Sequence, residues 1–159
     1  MNIPLQCPPP LDPGFEPASL WLRDHTQACI QTKSPHTATI QVSRSSGPGR
    51  PMSVPLLPDS TAAFREQNRR IIERVLKSLL WIQGGNEVSI KDAPEVSGWL
   101  VKQYQSGGKR AFDAEFMGER CFDAPFKIRP TESIPSVAPE GSLLPHSGRL
   151  NGCRIGFDL

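Results

Sequence analysis

Between Asp59 and Ile90 the chain reads DSTAAFREQNRRIIERVLKSLLWIQGGNEVSI, and this one stretch limits the fold more than any other. Apolar residues recur at Phe64, Ile71, Val75 and Leu79, with Ile72, Leu76, Leu80 and Ile82 widening the stripe. That spacing predicts a long helix lying with one face on a core. Pro58 keeps the helix from starting earlier, and Asp59 or Ser60 supplies an oxygen for the N–H groups of the first turn. At the far end Gly84 suits a left-handed cap, and Gly85 lets the chain turn at once into a short strand with Val88 and Ile90 on one face. Helix, double glycine and strand together predict a small α/β module.

The flanking segments fill in the module. In TATIQVS, Ala38, Ile40 and Val42 alternate with polar neighbours, as a half-buried strand requires. RSSGPGR (Arg44–Arg50) is dense in turn residues, and Met52, Val54 and Leu56 then alternate again. The pair reads as a hairpin, with Pro51, Pro55 and Pro58 placing its second arm at a sheet edge. After the Val88–Ile90 strand, Asp92-Ala93-Pro94-Glu95 has the pattern of a capping box, Asp92 as cap and Glu95 reaching back. The helix it opens places Val96, Leu100 and Tyr104 on one face with Trp99 beside them, and Ser106-Gly107-Gly108 ends it. The crossovers are long enough for the strands flanking the main helix to pair in parallel. KRAFDAEFMGERCFDAPFKI has no clean period; Phe112, Phe116 and Phe122 are expected to cover one end of the sheet, ahead of an extended piece from Phe126 to Ile128.

The chain has 159 residues, 17 of them proline and 13 glycine, with a hydrophobic share of 37%, so the foldable part is smaller than the length suggests. The reading is a disordered Pro-rich arm over 1–35, an α/β module over 36–129, a Pro-rich linker over 130–150, and a new strand pattern over 151–159. Within the arm, Ser19–Gln31 has the residues for a short helix, with Leu20, Trp21 and Ile30 available to dock on a partner; a loosely attached arm is the plainer expectation. A formal charge of +2 gives no electrostatic case for nucleic acid or an anionic membrane. No apolar run approaches a membrane span, and the N-terminus lacks the basic start and apolar core of a secretory signal. Cys7, Cys29, Cys121 and Cys153 form no CxxC pair and are read as free thiols in a reducing cytoplasm.

Candidate chemistry is sparse. His25 and Cys29 share a helical face, but His36 and His146 add no metal-ligand spacing. Arg65, Arg69, Arg70, Arg74 and Lys77 line the polar side of the main helix; Glu66 and Glu73 interrupt them, and a solvated face is the expected role. Helix-turn-helix geometry is absent from the element order. Gly84-Gly85 follows a helix and precedes a strand, the reverse of a phosphate cradle. Asp113, Glu115 and Asp123 sit among phenylalanines without a histidine and are expected to be surface acids. Trp81 and Trp99 are expected to fill the core. No catalytic residue is assigned.

VLKSLLWIQGG, RAFDAEFMGE and the final GCRIGFDL, in that order, resemble the N-terminal region of ROK-family proteins, the bacterial sugar kinases and related repressors of the actin-like ATPase superfamily. The resemblance runs from about Val42 to Leu159. It implies that Arg154–Leu159 is the first strand of an incomplete actin-like ATPase domain, cut before its glycines. It further implies that Asp158 is the residue that binds the cofactor and metal, ATP and magnesium, in the complete parent. Glycines after such an aspartate let backbone N–H groups approach phosphate closely. The parent's other partner would be a sugar substrate. The fragment itself is expected to be catalytically incompetent and to hold no cofactor. The alternative is a stand-alone α/β protein-interaction module of unknown partner.

Overall fold

The computed structural model describes residues 17–33, 36–44 and 46–134, so the expectations for 1–16 and for 135–159, Asp158 included, lie outside the described residues. Helix α1 (Ala18–Gln31) precedes a hairpin in which β1 (Thr37–Arg44) runs antiparallel to β2 (Gly47–Pro48) and β3 (Met52–Pro55). Then come α2 (Ala62–Gln83), β4 (Glu87–Lys91), α3 (Pro94–Tyr104) and α4 (Ala111–Glu115). A π-helical turn over Phe116–Arg120 continues α4, and β5 (Lys127–Thr131) completes a five-stranded mixed sheet. The protein is mixed α/β, as the sequence pattern predicts.

Register explains why one face of the sheet is buried. Ala38 stands opposite Val54, Ile40 opposite Ile90 and Val42 opposite Val88, so a single apolar surface spans three strands. Side chains directly opposite share a face, and a slip of one residue would expose them all. Ile71, Ile72, Val75, Leu76, Leu79 and Leu80 of α2 press on that surface with Val96 and Leu100 of α3. Burying each large side chain there contributes roughly 1.5–3 kcal/mol relative to exposure. The opposite face carries Thr39, Ser43, Ser89, Lys91, Lys127 and Arg129, partly or fully exposed. Gln41 on the same face is buried, its amide donating to the Gly49 carbonyl at 3.0 Å.

The strands flanking α2 are parallel but not paired. β3 and β4 each bond to β1, which lies between them, and the parallel neighbours are β4 and β5. The hairpin takes one edge of β1 first, leaving only the far edge for β4. Pro130 stands in β5 opposite Ile90, where an edge strand tolerates a missing N–H, so the ordered sheet reaches two residues beyond the expected module boundary.

Helix caps also differ from expectation. Thr61, not Asp59 or Ser60, caps α2, its hydroxyl accepting from the Phe64 N–H at 3.1 Å. Asp59 is engaged elsewhere: its carboxylate accepts from Asn68 Nδ2 at 3.2 Å and its carbonyl from Arg65 at 2.8 Å. The capping box of α3 does not form. Ala93 is the cap residue, Asp92 sits at φ 60° beside Lys91, and Glu95 pairs with Arg69 of α2. Pro94 does occupy the first turn. Gly84 ends α2 at φ 70° and ψ 158°, a positive-φ conformation that suits glycine but is not the left-handed helical cap expected. Gly85, at φ 146°, lies so close to β1 that a Cβ would meet the Ser43 carbonyl at 2.5 Å.

Before α2 one side chain holds Leu57. Asn68, fully buried, accepts from the Leu57 N–H at 2.9 Å and donates to the Leu57 carbonyl at 2.8 Å. It thereby satisfies both backbone groups of a residue that is itself fully buried and lies outside any strand. The Ser19–Gln31 helix exists as α1 and docks on this chain. Trp21 and Leu22 pack against the core, while Ile30 is 65% exposed and docks on nothing among the described residues.

Candidate functional site

The most distinctive surface among the described residues is a row of three rings. Trp81 in the last turns of α2 stacks on Phe116 of the π turn, centroids 5.8 Å apart and planes at 26°. Phe116 in turn stacks on Phe112 of α4 at 6.0 Å and 23°. Trp81 is 50% exposed, Phe112 65%, and the neighbouring Ile82 80%. The sequence expectation that Trp81 fills the core is therefore wrong. Leu79 and Leu80 take the inward positions of that turn, and Trp81 continues the outer line of Arg70, Arg74 and Lys77. Ile82 shares the side of the helix that Val75 occupies, but nothing among the described residues covers it. Phe112 does not cover the sheet end either; Phe116 and Phe122 do pack against the core.

The ridge is built by fold elements that hold each other. Lys77 of α2 pairs with Asp113 of α4 at 3.6 Å, and Glu73 accepts from Arg110 Nε at 2.8 Å. That hydrogen bond raises the Arg110 pKa above its ordinary value, against an opposing effect of burial. Glu115 pairs with Arg120 at 2.9 Å. Glu115 is a surface acid tied to a cation and Asp123 is exposed at φ 49°, as expected, whereas the Asp113 side chain is largely buried in its pair with Lys77.

The basic residues of α2 are mostly engaged inside the fold. Arg65 donates to the Asp59 carbonyl, Arg69 pairs with Glu95 and stands 5.7 Å over the Trp99 ring, and Arg70 lies 4.6 Å over Trp21. Arg74 is exposed. Trp99 is half-buried against the core, close to expectation.

His25 and Cys29 do meet, with Cys29 Sγ 3.5 Å from His25 Nε2. They form no nucleophile pair. Nε2 also lies 2.9 Å from the Pro55 carbonyl, which can only accept, so that nitrogen carries the hydrogen and has no lone pair for the thiol proton. Burial pushes the Cys29 thiol up, away from the reactive thiolate. The pair instead latches α1 to the end of β3. His36 is exposed, and His146 lies outside the described residues. Among the described residues no group of three or more His, Cys, Asp and Glu side chains could hold a metal ion.

A shallow cleft of about 290 Å³ lies between α3 and β5, with Val101, Tyr104, Phe126 and Ile128 on its apolar side and Lys127 and Arg129 at its rim. Tyr104 stacks on Phe126 at 5.3 Å, and its hydroxyl has no hydrogen-bond partner among the described residues. Burial, then the nearby Asp113 and Glu73 carboxylates, push the phenol far above its ordinary value, with Arg110 opposing. Nothing in the cleft pairs a nucleophile with a base. Sequence reasoning missed the aromatic ridge. The signal available was the placement of Trp81 on the helical line of Arg70, Arg74 and Lys77. No helix among the described residues is long and apolar enough to cross a membrane. No family model, no curated protein and no solved structure matches the chain.

Proposed function

We propose that this chain is the N-terminal part of an ROK-like protein whose complete form binds ATP and takes a sugar as phosphoryl acceptor. The described α/β unit then serves as a binding and support element without chemistry of its own. One observation supports this reading. The two upstream segments that carry the resemblance, Val75–Gly85 and Arg110–Glu119, are distant in sequence but pack as one piece through Trp81 on Phe116 and Lys77 on Asp113. Magnesium would arrive with the nucleotide and be held at Asp158, and the protein would work in the cytoplasm with its cysteines as thiols. The test is calorimetric titration of the gene product that continues past Leu159 with magnesium-ATP. Binding that Asp158→Asn abolishes is the expected result; a complete product that takes up no ATP overturns the reading.

A second reading, the stand-alone protein-interaction module, draws on the exposed ring row. Half-exposed aromatic rings held rigidly by stacking are the usual anchors of protein contacts. A folded fragment that retains a partner, and loses it on Phe112→Ser, would favour it.

A further inference from the structure

The ring row has an occupant of matching chemistry within this chain. We propose that the Pro-rich segment Pro8–Pro13 (PPPLDP) docks on the Trp81–Phe116–Phe112 ridge of its own chain. The proposal concerns a surface that the ATP reading does not use, and it stands or falls independently of it.

Shape comes first. Three near-parallel rings stacked in a row present a continuous aromatic surface, against which the prolines of a preformed extended helix can pack at small entropic cost. The row is at most about 12 Å long from Trp81 to Phe112, the length of four polyproline residues at about 3.1 Å each. The chain holds one run of three consecutive prolines, and it continues as Pro10-Leu11-Asp12-Pro13.

Reach comes second. The described chain starts at Pro17, one turn before Trp21, and Trp21 lies 4.6 Å from the Arg70 guanidinium. Trp81 stands three turns above Arg70 on the same line of α2, about 16 Å along the axis. From Pro17 back to Pro10 an extended chain covers about 22 Å, enough to follow that line to the ridge. Charge comes third. The exposed Arg74 lies on that line between Arg70 and Trp81, and the arm that would run along it carries Glu16 and Asp12. The tether raises the arm's effective concentration at the ridge to the millimolar range, so weak ring contacts suffice to hold it.

Two native cysteines supply the test. Cys7 immediately precedes the prolines, and Cys121, exposed, lies just past the π turn that holds Phe116. The full chain is treated with a short bismaleimide at low protein concentration, and linked peptides are identified by mass spectrometry. The expected product is a Cys7–Cys121 link within one chain. Its yield should fall to that of the urea-unfolded chain in Phe112→Ser and in Trp81→Ser, both exposed positions, with unchanged circular dichroism. A yield that the ridge substitutions leave unaltered overturns the proposal. So does a link between two chains, which gives the ridge to a second copy, or a Cys121–Cys153 link in its place, which gives it to the C-terminal segment.

Discussion

Asn68→Ala tests the physical account of this fold most sharply. The side chain bonds both the N–H and the C=O of Leu57, at 2.9 and 2.8 Å, and both residues are fully buried. Alanine fills none of these roles, and a buried backbone group without a partner costs about 1–3 kcal/mol. Two orphaned groups therefore predict a loss of roughly 2–6 kcal/mol; the third bond, to the exposed Asp59, adds little. Against a typical domain stability of about 5–15 kcal/mol, that is a large fraction. With a urea slope of about 2 kcal/mol/M, the unfolding midpoint falls by about 1–3 M. Thr61→Ala, which removes an exposed cap a few residues away, should cost less, about 0.5–2 kcal/mol. Hydrogen exchange gives the local readout, since the Leu57 amide should lose its protection in folded Asn68→Ala. A loss below about 1 kcal/mol, or a Leu57 amide that stays as protected as before, would refute the reasoning, because some other group would then be satisfying it.

Tyr104 is the single tyrosine of the chain, so absorbance titration reads it alone. Its folded pKa lies above the unfolded value of about 10, so the folded state keeps the proton that the unfolded chain releases; stability is flat below that pH and falls as pH rises beyond it. Tyr104→Phe should remove this alkaline loss and, by deleting a buried hydroxyl with no partner among the described residues, leave neutral-pH stability unchanged or raised by about 1 kcal/mol. Gly85→Ala should destabilise by about 2 kcal/mol or more in urea titration, since φ 146° and the Ser43 carbonyl at 2.5 Å leave its methyl no room. Iodoacetamide should label Cys121 in the native protein while Cys29 waits for unfolding, as peptide mapping after timed quenches will show.

What could be read in advance was whatever repeats locally. The α2 stripe from Ile71 to Leu80, the inward placement of Ala38, Ile40 and Val42, and the positive φ of Gly84 at the helix end each follow from a few neighbouring residues, and each is present. What could not be read depends on competition between distant groups. Asp59 is as good a cap as Thr61 until Asn68 and Arg65 claim it, and Glu95 reaches back in a box until Arg69 offers an opposite charge. The Ala111–Arg120 region showed no period because a five-residue α-helix passes into a π turn there, which shifts the phase of every later side chain. Trp81 was misplaced because hydrophobicity suggests burial while its helical position dictates exposure. Asp158 lies outside the described residues and was singled out through the resemblance alone, since nothing in its own spacing marks it.

The parallel pairing of β4 with β5 has a consequence for synthesis on the ribosome. β1, β2 and β3 can assemble on one side of β4 as soon as Lys91 has emerged, because their partners are already made. The other edge of β4 must wait for α3, α4 and the π turn, until Lys127–Thr131 is free. During that interval Val88 and Ile90 sit beside an unsatisfied row of N–H and C=O groups, a template for pairing with another nascent chain. Slow translation between Lys91 and Lys127 should therefore lower the soluble yield more than the same delay placed earlier. Pro130, which breaks the pattern of donors on the last strand, then serves a second purpose: the finished sheet ends on an edge that a neighbouring molecule cannot easily extend.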